Sequence, residues 1–300
     1  MTRMPAVSLV AAPGRRKATL ELAQEIERRG FAGIYCPSFG DGMGLCLALA
    51  LTTNEIRFGT TIAIIYNRHP VDYAQSASLV HELSGGRFVF GVGVSHGPTH
   101  QAMGHKVGKP LSDMRSFVER LRETPGVELP PVALATLRSK MVQLAGEIGD
   151  GMVWANGSRS HMAASFSHLS AGKRNAKDFF IGNMIPTCIS DDKAAAAAVM
   201  RRTLTGYAML PNYNNYWVEA GYGEEMAAVR AAAKAGDRDR VASVLSERWL
   251  SDVTLYGSAA DVREGVEAWY DAGVNAPILV PSSAEGGQMQ AFEELFAAFS

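Results

Sequence analysis

VALATLRSKMVQLAGEIGDGMVWANGS, residues Val132–Ser158, holds one complete structural repeat. Val132–Ala135 is a short apolar run that reads as a strand. Ser139–Ile148 reads as a helix ended by Gly149, and Gly151–Ala155 is the next strand. The strands are continuous apolar runs and not alternating ones, as expected of a parallel sheet covered on both faces.

The same alternation extends in both directions. Strand-like runs are expected at Pro5–Ala11, Gly33–Cys36, Ile56–Ile65, Phe88–Val94, Phe179–Ile189 and Ala276–Val280. Helical spacing is found in Arg16–Arg29, Leu45–Leu51, Val71–Leu83, Ser112–Arg122, Ser258–Ala272 and Gly287–Phe299, with an Ala-rich helix from Asp192 and a further one at His161–Ser170. Gly40–Gly44 reads as a loop. Eight strands, each followed by helical sequence, fit an α/β fold of the (β/α)8 TIM-barrel type better than an open doubly wound sheet. Leu204–Trp249 does not fit a single crossover and reads as a helical insertion, residues 204–250, before the last helix and strand, or as a small cap domain. The expected organisation is one domain over residues 1–300.

Composition excludes several classes. Apolar residues make up 47% and charged residues 20% of the chain, with a formal net charge of -1. No basic patch suited to a phosphate backbone is present, so nucleic acid is not an expected partner. Cys36, Cys46 and Cys188 share no CxxC spacing, which suits a reducing cytoplasm and argues against a disulfide framework or a cysteine zinc site. The first residues lack the apolar length of a signal peptide. The longest apolar run, Met43–Leu51, is far shorter than the ~20 residues of a membrane span. A cytoplasmic protein without membrane contact is expected.

In a barrel the active site gathers at the carboxyl ends of the strands. Those ends hold Ala12, Ser38, Tyr66, Ser95-His96, Thr136-Leu137, Asn156-Gly157-Ser158, Ser190-Asp191 and Ser282-Ser283. Paired carboxylates for glycoside hydrolysis and a His/Asp/Glu cluster for metal-assisted hydrolysis are both missing. Small neutral residues dominate, as suits a large planar cofactor that brings its own chemistry. GGRFVFGVGVSHGP, Gly85–Pro98, carries glycines at Gly91 and Gly93 within its strand and breaks into Ser95 and His96, a pattern that lets something approach the backbone. Two loops have phosphate-binding character. Thr136-Leu137-Arg138 leads into a helix whose N-terminal NH groups favour an anion, and Asn156-Gly157-Ser158-Arg159 offers backbone NH groups, a hydroxyl and a guanidinium. Each could equally be a helix cap with a solvated arginine. His96, His100 and His105 lie close in sequence, but Gly97-Pro98 and Gly104 interrupt any helix between them, and no metal site is expected. His69 reads as structural. Tyr66, Tyr207, Tyr213 and Trp217 could line a substrate pocket, with helix packing the alternative for the last three.

The segments RRGFAGIYCPS, RFGTTIAIIYNRHPVDYAQSA, GGRFVFGVGVSHGPTHQAMG, LPPVALATLRSKMVQLAGEIGDGMVWANGS and GYAMLPNYNNYW together resemble the bacterial luciferase-like monooxygenase superfamily. Within it they resemble the branch of deazaflavin (coenzyme F420)-dependent oxidoreductases. The resemblance implies an isoalloxazine-like ring at the strand ends. It also implies a bulge at Thr61-Ile62-Ala63, often with a non-proline cis peptide, that supports the ring. Ser38, Gly93 and Ser95 would border the cofactor. Thr136, Leu137, Arg138, Gly157 and Ser158 would meet its phosphate and tail. Relatives often carry an Asp-His pair where this chain has Ser38-Phe39, which leaves His96 as the acid/base candidate. The resemblance also implies a homodimer. The expected activity is hydride transfer between F420 and a small organic substrate. The alternatives are an FMN-dependent monooxygenase and a non-catalytic flavin-binding protein.

Overall fold

Val7, Ile34, Phe58, Phe88, Phe90, Leu134 and Trp154 are almost wholly buried, and each lies on a strand of one sheet. The computed structural model describes Arg3–Ser300; Met1 and Thr2, the start of the expected 1–300 domain, lie outside the described residues. The strands are β1 (Ala6–Ser8), β2 (Gly33–Cys36), β3 (Phe58–Thr60), β4 (Ala63–Ile64) and β5 (Phe88–Gly93), followed by β6 (Val132–Ala135), β7 (Gly151–Ala155), β8 (Phe180–Ile189), β9 (Leu255–Gly257) and β10 (Ala276–Ser282). Their order is β10-β1-β2-β3-β5-β6-β7-β8, and β10 pairs with β8 to close the ring. With β3 and β4 as one stave, this is a closed, parallel, eight-stranded TIM-type barrel. β9 is an additional short strand beside β8 that the sequence pattern did not reveal.

Two compact units make up the described chain. The first holds Met4–Trp154 and Phe166–Gly182; the second holds Arg3, Ala155–Ser165 and Asn183–Ser300. In the first, helix Arg16–Arg28 buries Thr19, Leu22, Ala23 and Ile26, the inward stripe of a 3.6-residue period. Helix Gly42–Thr52 begins inside the stretch expected as a loop, because the Asp41 carboxylate accepts from Gly44 N at 2.9 Å and caps it. Arg87, just before β5, donates to the carbonyls of Ala50, Thr53, Ile56 and Ser84 and to Thr53 Oγ1. It thereby ties the end of that helix to the entries of two strands.

The second unit carries the extra helices. The Ala-rich helix runs from Lys193 to Ala208, beyond the point where the insertion was expected to start, and is followed by helices Pro211–Glu219, Gly223–Lys234, Arg238–Ser243 and Glu247–Val253. An aromatic chain joins three of them. Tyr207 and Tyr213 have ring centroids 5.1 Å apart, Tyr213 and Trp217 5.5 Å, and Trp217 and Trp249 4.8 Å. Such pairs contribute roughly 0.5–1.5 kcal/mol each beyond the area they bury. Instead of one helix at His161–Ser170, a 3-10 turn at Arg159–His161 precedes helix Met162–Phe166. Among the described residues no helix is long and apolar enough to cross a membrane.

Candidate cofactor site

At the top of the third stave the sheet slips. β3 pairs with β5 at Phe58↔Phe88, and β4 pairs with it at Ala63↔Val92. Phe58 to Ala63 therefore spans one residue more than Phe88 to Val92, and the surplus is a bulge at Thr61-Ile62. The Thr61–Ile62 peptide is cis. Thr61 N donates to Cys36 O at 2.7 Å, whereas the buried Thr61 Oγ1 meets no partner. Gly93 is required by this bulge. A Cβ there would stand 2.2 Å from Ile62 Cδ1 and 2.8 Å from Ala135 Cβ. At Gly91 it would stand 2.0 Å from the Thr60 carbonyl oxygen. What approaches these two glycines is the chain itself: Ile62 crosses Gly93 and is left half-buried beside the buried Ala63.

β5 ends in Ser95, a non-glycine residue in the left-handed region with φ 62°. The Gly97-Pro98 pair, expected to break a helix, instead starts one, Gly97–Met103, because proline suits the first turn where its missing N–H is not needed. Gly104, with φ 66°, ends it. The turn brings His100 and His105 together with Nδ1 atoms 3.3 Å apart, and the Tyr66 ring lies 5.3 Å and 5.8 Å from theirs. Tyr66 OH donates to Asp113 Oδ2 at 2.7 Å, and Gly108 N donates to the same oxygen. Burial and the Asp113 carboxylate push the Tyr66 hydroxyl pKa up, so it stays protonated. His96 stands apart, with Nδ1 3.3 Å from Thr99 Oγ1. Burial, then the proximity of His100, lowers its pKa; burial, then His105, lowers that of His100. Among the described residues no group of three or more His, Cys, Asp or Glu is arranged to hold a metal ion. In the same unit Ser38 and Phe39 are exposed after β2, Thr136 is buried with Oγ1 unpartnered, Leu137 is half-buried and Arg138 exposed.

In the second unit the β7 loop opens at Asn156, also left-handed with φ 59°. The sequence reading expected its backbone NH groups to face a ligand, but they are already used. Asn156 N donates to Met184 O, Gly157 N to Asn183 Oδ1 at 3.1 Å, Ser158 N to the Tyr216 hydroxyl at 2.9 Å and Ser160 N to Asp252 Oδ1 at 2.8 Å. Asp252 Oδ2 also accepts from Ser160 Oγ and Tyr222 OH. The side chains carry the unused donors. Asn156 Nδ2, Ser158 Oγ and Asn183 Nδ2 are buried without a partner. Ser158 Oγ lies near enough to the Tyr216 oxygen to lower its pKa but outside hydrogen-bond geometry. Burial dominates there and raises the Tyr216 pKa, keeping the proton on. An unmade buried hydrogen bond costs roughly 1–3 kcal/mol, so this concentration of idle donors calls for an acceptor-rich ligand. Tyr213 and Trp217 are buried in the aromatic chain of this unit, and Tyr207 is half-buried at its end.

Residues 4–276 match the family described as luciferase-like monooxygenase. The chain belongs to that family. It is 26% identical over 284 residues, 78% of this chain and 81% of the other, to a Mycobacterium tuberculosis protein named, provisionally, a coenzyme F420-dependent oxidoreductase. Its fold is like that of the coenzyme F420-dependent tetrahydromethanopterin reductase of Methanopyrus kandleri, with a TM-score of 0.79 at 18% identity over 99% of this chain and 98% of that one. It is also like the oxygenating constituent of 3,6-diketocamphane monooxygenase of Pseudomonas putida, which was solved with FMN; there the TM-score is 0.62 at 16% identity, over 100% and 96% of the two chains. The protein is thus a luciferase-like oxidoreductase, and a flavin-type cofactor, deazaflavin or FMN, is typical of the family. The idle buried donors fit the phosphate of such a group.

Asn183 and Tyr216 were not singled out from the sequence as site residues. Asn183 had a legible signal, an amide in the middle of the apolar strand FIGNMIPTCI. Tyr216 did not, since it sits in an aromatic cluster that also reads as packing.

Proposed function

We propose that this protein is a coenzyme F420-dependent oxidoreductase that transfers a hydride between the deazaflavin and a small organic substrate. The observation that carries the reading is the trio of buried side-chain donors without acceptors on and beside the β7 loop, Asn156, Ser158 and Asn183. Donors of this kind suit a ligand rich in oxygen acceptors. The F420-dependent assignment of the M. tuberculosis relative supports the choice of ring. Bound there, a deazaflavin would supply or accept the hydride.

The chain's own residues orient and protonate. Ile62 and Ala63 on the bulge, with Gly93 and Ser95 at the end of β5, would border the ring. Thr136, Leu137 and Arg138, and separately Gly157 and Ser158, would border its tail. Ser38 and Phe39, exposed after β2, supply no acid or base in place of the Asp-His pair that relatives often carry. His96 would move the proton. Its depressed pKa makes it neutral at pH 7, and with Nδ1 turned to Thr99, Nε2 is the atom free to take a proton from a substrate hydroxyl or return one. Tyr66 would contact the substrate.

Fluorescence titration of the purified protein tests the cofactor. Tight F420 binding with weak FMN binding supports the reading. The reverse supports FMN-dependent, oxygen-consuming turnover, the reading favoured by the fold shared with the camphane enzyme. We also propose a homodimer. Leu51 on helix Gly42–Thr52 and Leu79 and Leu83 on helix Pro70–Leu83 are exposed apolar residues on two helices that pack together. A monomer mass in sedimentation equilibrium would contradict it.

A further inference from the structure

Asn183 and Tyr216 are fastened to consecutive peptide groups of the β7 loop through Gly157 N and Ser158 N. Each spends its acceptor on the loop and keeps a donor in reserve. Asn183 uses Oδ1 and leaves Nδ2 unpartnered; Tyr216 accepts at its oxygen, and its own proton has no acceptor among the described residues. Asn156 Nδ2 and Ser158 Oγ add two more buried donors on the same loop. All four groups are electrically neutral. The charged groups around them are mixed in sign: Arg159 is a half-buried cation on the loop, the Asp252 carboxylate is bound to Ser160, and the Glu219 carboxylate lies close enough to Tyr216 to push its pKa up. His161 packs edge-on against the Tyr216 ring.

Anion desolvation rises steeply with charge, so a buried cradle of neutral donors with no net positive charge favours one negative charge over two. A phosphodiester carries one charge at neutral pH, whereas a phosphomonoester carries close to two. F420 bears a phosphodiester and FMN a phosphomonoester. We propose that Asn183 and Tyr216 are specificity-determining residues that make the β7 loop a cradle for a singly charged phosphodiester and disfavour a phosphomonoester. This inference rests on the reading that a flavin-type cofactor binds here. It adds which residues choose between the two cofactors, and by what physics.

The test uses four fluorescent or fluorescence-quenching probes with the full chain: F420, its phosphate-free deazariboflavin chromophore, FMN and riboflavin. The gain within each pair is the affinity ratio; for F420 it includes the tail beyond the phosphate, which the variants below leave untouched. In the unaltered protein the F420 gain should exceed the FMN gain by at least about tenfold. Asn183→Asp keeps the acceptor for Gly157 N and replaces the reserve donor with a charged oxygen. It should cut the F420 gain by about tenfold to a hundredfold, the loss expected for a hydrogen bond to a charged group. Binding of the phosphate-free chromophore should change less than about twofold, a separation that general loosening of the loop would not produce. Tyr216→Phe should reduce the same gain by a smaller factor, and serves if the aspartate variant does not fold. An unchanged gain in a folded variant, or an FMN gain equal to that of F420 in the unaltered protein, overturns the inference and leaves the cofactor reading standing. Failure of the unaltered protein to bind any of the four overturns the cofactor reading and this inference with it.

Discussion

The loops after β5 and β7 start alike and end differently. Each leaves its strand through a non-glycine residue in the left-handed region, Ser95 or Asn156, a conformation that costs about 1–3 kcal/mol and is held only where the surroundings enforce it. In the β7 loop the enforcement comes from side chains that capture backbone NH groups, and the polar side chains are left idle and buried. In the β5 loop the side chains satisfy one another, imidazole to imidazole and phenol to carboxylate, and stay half-exposed. One loop is a fixed wall of uncharged donors. The other is a lip whose charge changes with pH.

The sharpest way to break this contrast is to remove the carboxylate that anchors each loop. Asp252→Ala strands Tyr222 OH in a buried place and Ser160 N and Oγ at a part-buried one, and should cost about 2–4 kcal/mol in urea unfolding. Asp113→Ala strands only Gly108 N and Tyr66 OH at a half-exposed position and should cost about 1–2 kcal/mol. Equal losses would mean that the β7 loop is no more tightly held than the other. Gly93→Ala comes next. Its methyl must displace Ile62 and Ala135, so about 1–3 kcal/mol of stability should be lost, with weaker cofactor binding in the same titrations.

A pH series separates the loops more gently. His96 and His100 titrate lower in the fold than the ~6.5 of a free imidazole. Below that value the unfolded chain binds more protons. Their contribution to stability is therefore complete above about pH 6.5 and is lost as pH falls through the folded values. Amide exchange, corrected for its intrinsic pH dependence, should lose protection over residues 95–109 between pH 7 and 5, and keep it over residues 156–160. Matching changes in both segments would contradict the distinction. The smallest effect is expected from His105→Gln. It removes the neighbouring charge that helps depress His100, so the His100 pKa should rise in an NMR titration while stability changes by less than about 1 kcal/mol.

The staves of the barrel were legible because buried parallel strands must be apolar along their whole length, and helix ends were legible where glycine or proline marked them. The breaks were not. TTIAII reads as uninterrupted strand, yet its bulge is set by Ile62 crossing Gly93, a contact between residues far apart in the chain. Gly97-Pro98 reads as a helix breaker because the residue pair is the same whether a helix stops or starts there. The β7 loop shows the same limit. Its sequence announces small polar residues and free NH groups, but only the folded chain brings up Asn183, Tyr216 and Asp252 to take those groups.

Asp252 and Tyr216 have one further consequence. The first lies on helix Glu247–Val253, the second on helix Pro211–Glu219, and both grip the loop at residues 156–160. Loop and helices are accordingly a single block of inheritance, although a long stretch of chain parts them. A chimera that takes its helices from one parent and its β7 loop from another would mismatch both anchors at once. Drift in helices remote from the loop in sequence thereby retunes what the loop accepts, and lineages are better told apart by those helices than by the loop they hold.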